Sequence, residues 1–118
     1  AQARPRPVHP EKGHLMAVVV VATIRPVPDR RAEAIAAVKE TVAQVHAEDD
    51  GCLLYALHEG PDRLVLIEKW TDAEALAAHG RGAAVASIPE RMKGLVTGPS
   101  DVQVLHPHPA GNPEQGIL

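Results

Sequence analysis

Residues 18–21 are four consecutive valines inside an apolar stretch that runs from Leu15 to Ile24. β-Branched side chains lose rotamer freedom against a helical turn and pack well on a pleated surface, so this stretch reads as a strand. It is too short to cross a bilayer as a helix, which takes about 20 apolar residues. The charged stretch before it imitates a secretory leader, but Pro5, Pro7 and Pro10 precede the valines and the run continues directly into a polar turn. A near-continuous valine run suits a strand covered on both faces. The strand is placed at Met16–Ile24 and ends at Pro26 and Pro28.

A chain that starts this way must build an aliphatic core, because its 118 residues include no Phe, one Tyr (Tyr55) and one Trp (Trp70). The same scarcity disfavours single-stranded nucleic acid as a partner, since such platforms stack bases on several rings. A net charge of -3 leaves no basic excess for phosphates. The length fits one domain. Cys52 is the single cysteine, so no internal disulfide can form, and no Cys/His spacing suits structural zinc. A reducing cytoplasm is the expected compartment, with no membrane partner.

Six of the eleven prolines fall in residues 1–10 and 107–118. Residues 1–15 are therefore expected to be a flexible extension, with Met16 a candidate alternative start, and residues 107–118 a flexible tail. Between them, residues 16–106 form the domain. A helix is expected from Asp29 to Glu48, capped by Asp29, with Ile35, Val38, Val42 and Val45 as its apolar stripe. Gly51 suits the left-handed residue after it. Cys52–Glu59 and Arg63–Trp70 read as a hairpin around Gly60-Pro61-Asp62. Thr71-x-x-Glu74 is a capping box for a helix over Asp72–His79, and Ser87-x-x-Glu90 opens a short one bearing Met92 and Leu95. Asp101–His106 is a last strand, with Val102 and Val104 on one face.

The order β-α-β-β-α-β is the split βαβ, ferredoxin-like arrangement: an α+β fold with helices on one face of a four-stranded antiparallel sheet. The other face would be apolar and uncovered, which makes a homodimer the natural solution.

Three segments carry a family resemblance. Gly51-Cys52-Leu53-Leu54-Tyr55-Ala56-Leu57, Leu66-Ile67-Glu68-Lys69-Trp70 and Ala75-Leu76-Ala77-Ala78-His79 resemble, in order and spacing, the antibiotic biosynthesis monooxygenase domain. There, "GC-x-x-Y" opens the second strand, "E-x-W" closes the third and "AL-x-x-H" lies on the next helix. The resemblance covers residues 16–106. It implies a dimeric α+β barrel with a pocket between sheet and helices. Relatives include cofactor-free oxygenases of polyketide rings and of quinols, haem degraders and isomerases, so membership gives the fold better than the reaction. Many members carry a His-Phe pair at the pocket rim; Ala84 and Val85 stand there in this chain.

Each candidate side chain has a functional and a structural reading. Trp70 is a wall for an aromatic substrate, or a core ring whose N–H finds one acceptor. An imidazole titrates near neutrality, so His79 can take a proton from a phenol or quinol; it can equally cap its helix. Tyr55 can bind a substrate carbonyl or sit at a dimer interface. A three-residue hairpin turn puts it opposite Trp70, and a four-residue turn beside it. Glu68 is a site candidate if buried, or a partner of Lys or Arg; Arg25 is either that partner or a clamp on an anionic substrate. Met92 is a further substrate-binding candidate. His106-Pro-His108 is a weak metal tract on the tail, so no metal and no cofactor is expected. His46 and His58 read as surface or interface residues.

The leading expectation is cofactor-independent monooxygenation of a small phenolic, quinol or polyketide-type ring by O₂, with His79 as base and Trp70 as wall. Haem binding is the second. Relatives with that activity typically use an Asn near the end of the first strand, where this chain has Thr23 and Ile24. A non-catalytic small-molecule-binding dimer is the third.

Overall fold

The structure, a computed structural model, describes residues 16–118; the expected N-terminal extension 1–15 lies outside them. Strand β1 (Val18–Ile24) leads through a 3-10 turn (Pro28–Arg30) into helix α1 (Arg31–Glu48). Strands β2 (Cys52–Glu59) and β3 (Leu64–Trp70) follow as a hairpin. Helix α2 (Ala73–Gly80), the single turns α3 (Ala83–Ala86) and α4 (Ile88–Arg91), and strand β4 (Asp101–Leu105) complete the domain. The sheet order is β2-β3-β1-β4, with every neighbouring pair antiparallel. This is the expected ferredoxin-like sheet.

Register sorts the side chains. Val18, Val20, Ala22 and Ile24 of β1 stand opposite Trp70, Glu68, Leu66 and Leu64 of β3, all on the helix-covered face. The aliphatic core lies between them and Ala34, Val38, Val45, Ala84, Met92 and Leu95. On the other face, Val19, Val21 and Thr23 are half-buried. The strand is thus covered by helices on one face and left partly open on the other, correcting the expectation of cover on both.

Several local expectations are also corrected. The buried stripe of α1 is Ala34, Ala37, Val38, Thr41 and Val45, rotated so that Ile35 and Val42 are only partly buried. Thr41 is tolerated inside because its hydroxyl accepts from Arg91 Nη1 at 3.1 Å. Asp29 lies within the 3-10 turn, which has no side-chain cap. Helix α2 is capped by Asp72, whose Oδ1 accepts from the Ala75 N–H at 2.9 Å, rather than by Thr71. Ser87 donates to the Ala84 carbonyl instead of capping α4.

Residues 107–118 contain no helix or strand, and they lie beside the open face, where Ile117 and Leu118 help line a groove with Val19 and Leu105. Lys69, on that face, donates from Nζ to the Leu118 carbonyl at 2.6 Å.

Candidate active site

The hairpin turn decides the first contact. Glu59 pairs with Leu64, so residues 60–63 form a four-residue turn, closed by the Gly60 N–H on the Arg63 carbonyl at 2.8 Å. Tyr55 therefore stands opposite Glu68, on the same face as Trp70. A bulge between Cys52 and Leu54 lies beyond Tyr55 and does not disturb this pairing.

Helix α2 supplies the next member. His79 follows the Asp72 cap by two turns, on the same side as half-buried Ala75 and Leu76, and this turns its ring inward. The imidazole meets the indole of Trp70 at 4.5 Å between centroids, with the planes tilted by 32°. The phenol ring of Tyr55 meets His79 at 5.5 Å and Trp70 at 6.2 Å, both edge to face. Trp70 is 0% exposed, Tyr55 and Glu68 each 4%, and His79 7%. Three of the candidate rings thus form one buried cluster around one carboxylate.

The polar atoms of this cluster are unevenly satisfied. Trp70 Nε1–H donates to Glu68 Oε1 at 3.0 Å. Burial pushes the Glu68 carboxyl up from its ordinary value, while the indole N–H and nearby His79 pull it back. Burial likewise drives the Tyr55 phenol well above its usual range, reinforced by the charges of Glu68 and Asp49. Tyr55 is therefore a permanent O–H donor, and its hydroxyl has no hydrogen-bond partner among the described residues. A buried, unspent donor has a clear preference for a ligand oxygen. His79 Nδ1 lies 2.6 Å from Asp49 Oδ2.

Asp49, the first residue after α1, is not among the candidates that the sequence offers. One signal was present: an anion at a helix C-terminus opposes the macrodipole, so its place there needs a compensating contact. Gly51 makes that contact possible. Its φ is +82°, and a Cβ there would lie 2.6 Å from the Ala75 Cβ, so only glycine lets α2 approach the α1–β2 turn so closely.

Two candidates lie elsewhere. Arg25 is exposed; its carbonyl accepts from the Thr97 N–H at 2.9 Å, and its charge acts on the Asp62 carboxylate of the hairpin turn. Glu68 stands opposite Val20, five residues before Arg25, so the Glu68–Arg25 ion pair, one of the two readings of Arg25, does not form; the indole is the partner of Glu68. Met92 is buried near Ile24, Ile88 and Val96, where these residues line an open cleft of about 270 Å³. Ala84 lies inside the core at 0% exposure rather than at a rim. His46 and His58 are exposed, as expected, and His46 Nε2 lies 3.0 Å from the Tyr55 carbonyl. Among the described residues no group of three or more His, Cys, Asp or Glu is placed to hold a metal ion. No helix among them is long and apolar enough to cross a membrane.

Comparison with known proteins adds an independent line. Residues 17–90 match the model of the antibiotic biosynthesis monooxygenase family. Among solved structures, Rv0793 from Mycobacterium tuberculosis is 28% identical, with a TM-score of 0.71 over 81% of this chain and 99% of that one. A Caulobacter crescentus protein carrying a provisional antibiotic biosynthesis monooxygenase name is 24% identical, with a TM-score of 0.72 over 83% and 95% of the two chains. A conserved protein from Methanosarcina mazei superposes with a TM-score of 0.73 at 19% identity, over 81% and 97%. The last two likenesses concern the fold alone. No curated protein matches the chain.

Proposed function

Since the chain belongs to the antibiotic biosynthesis monooxygenase family, we propose that it is a cofactor-independent monooxygenase of a small phenolic, quinol or polyketide-type ring. The observation that carries this reading is the unspent Tyr55 hydroxyl buried beside the Trp70 and His79 rings. Triplet O₂ reacts poorly with closed-shell rings, so without a flavin or metal the substrate must itself become electron-rich. His79 does this by taking the proton of a ring hydroxyl, leaving the electron pair on the substrate oxygen. Tyr55 donates to a second oxygen of the substrate, and Trp70 supplies the flat wall. The attacked ring carbon ends as a carbonyl and the other oxygen atom leaves as water, so the substrate itself supplies every electron and no external reductant is needed. The three rings are buried, so a substrate reaches them only when a neighbouring element moves aside.

The working unit we propose is a homodimer joined through the open sheet faces. Support comes from the half-buried Val21, Ala56 and Ile67 and from Leu105, which is 43% exposed. Light scattering of the Ile67→Asp variant checks this: a wild-type monomer would overturn it.

Oxygen uptake with a panel of quinols and anthrone-type phenols tests the reaction. His79→Ala is expected to slow turnover by about 10²- to 10⁴-fold. No uptake with any member, despite ligand-induced thermal stabilisation, would overturn the enzymatic reading. Uptake unchanged in His79→Ala would remove the base and leave the family assignment intact.

A further inference from the structure

We propose that Asp49 is a positioning residue that holds His79 as its Nδ1–H tautomer, so that Nε2 is the basic nitrogen offered to the substrate. The proposal rests on the reading of His79 as base.

The geometry is specific. Asp49 Oδ2 and His79 Nδ1 are 2.6 Å apart, and the two side chains are only 11% and 8% exposed. A carboxylate can only accept, so the nitrogen facing it carries the hydrogen. In neutral imidazole the other nitrogen, Nε2, is then a lone-pair acceptor. No described residue hydrogen-bonds to Nε2, and the Trp70 and Tyr55 rings pack against the imidazole. The contact joins residues 30 apart in the chain, bringing the end of α1 onto the last turn of α2.

Two glycines make room for the carboxylate. Gly51 lets α2 close on the turn, as described above. At Gly82 a Cβ would stand 3.3 Å from Asp49 Oδ1, tighter than most side-chain contacts, so the missing side chain frees the second oxygen's side. Other ionisable groups border the site: Glu68 of β3 beside His79, and Tyr55 and Cys52 of β2 near Asp49.

The chemistry explains why such a partner favours reaction over binding. When the substrate O–H breaks and an Nε2–H bond forms, the imidazole becomes a cation. Its Nδ1–H bond to the Asp49 carboxylate then becomes an ion pair in a dry site, stronger than before transfer. That gain exists only once the proton moves, so it lowers the barrier rather than tightening substrate binding. The same division of labour serves other His–carboxylate pairs.

A purely mechanical role for Asp49, pinning α2 to α1, predicts different results. Nitrogen-15 NMR of histidine-labelled full-length protein, with the His79 signals assigned by difference from His79→Gln, reads the tautomer directly. The expected wild-type state is Nδ1–H. In Asp49→Ala, His79 should shift to the Nε2–H form that free imidazole favours. In Asp49→Asn, which keeps the shape and an acceptor, kcat should fall about 10²-fold with KM within threefold of wild type and the melting temperature nearly unchanged. An Nε2–H wild type overturns the proposal whatever the variants do, which covers the case of an Asp49→Ala chain that fails to fold. A full-rate Asp49→Asn also overturns it. If no phenol or quinol is turned over, the base reading fails in the oxygen electrode, while the tautomer still tests Asp49 by itself.

Discussion

The two ends of β1 differ in chemical character, although the strand between them is one valine-rich run. At the Val18 end, the helix-covered face meets Trp70, and Tyr55, Glu68, His79 and Asp49 gather around it. At the Ile24 end, the same face meets Leu64 and opens into a cleft beside Met92, Ile88 and Val96. The ends are roughly 20 Å apart along the strand. The first is buried and polar, and holds the Tyr55 hydroxyl, which has no hydrogen-bond partner among the described residues. The second is more open and its wall is mostly aliphatic. Openness alone would point to the cleft, but under the proposed reaction the buried imidazole and the unspent Tyr55 hydroxyl favour the ring cluster, where a base and a donor stand side by side.

The largest expected contrast comes from truncating one anchor at each end. Trp70→Ala should cost about 3–5 kcal/mol and Met92→Ala about 2–5 kcal/mol by chemical denaturation. Only Trp70→Ala should also abolish oxygen uptake. A Met92→Ala protein that stays folded yet loses turnover as completely would move the site to the cleft.

Gly51→Ala sharpens the polar end. The left-handed backbone and the clash with Ala75 should cost about 1–3 kcal/mol. Because α2 must then shift, His79 should also lose its Asp49 partner, read as a changed ring tautomer. A destabilised variant with the tautomer intact would separate the glycine from the site.

Glu68→Gln tests electrostatics at this end. Burial raises the Glu68 carboxyl in the folded chain above its ordinary 4.5. The protonated form therefore favours folding, and this contribution is full below about 4.5 and lost as pH rises through the raised value. Wild-type stability should fall over that interval, and Glu68→Gln, which keeps an acceptor for the indole N–H, should flatten the fall. An unchanged slope would mean that Glu68 titrates as an exposed acid.

Arg25→Ala should show the smallest effect, within about 0.5 kcal/mol in stability. With the ring cluster as the site, its KM should also match wild type. A tenfold rise in KM would show that an anionic substrate reaches the Ile24 end.

The parts legible in the chain were those with short-range causes. β-Branching marked β1, Gly60-Pro61-Asp62 marked the hairpin, and Gly51 marked the end of α1, as its φ of +82° confirms. The face of α1 was harder to read. Counting apolar residues selected Ile35 and Val42, whereas the helix buries Ala34 and Thr41, because small side chains let it lie close to the sheet and Arg91 satisfies the threonine. The cap of α2 fell one residue late for a similar reason: Thr71 and Asp72 both suit the role, and backbone direction chose between them.

Residue types and order alone were enough to set the α+β architecture, the aliphatic core and the candidacy of Tyr55, Trp70 and His79. Folding in three dimensions settled which of the candidates meet. The turn length put Tyr55 beside Trp70, the register matched Glu68 to the indole rather than to Arg25, and a contact across 30 residues joined Asp49 to His79. Local preference acts over a few residues, whereas these contacts depend on how whole elements stack, and a one-residue slip in a strand would have undone them.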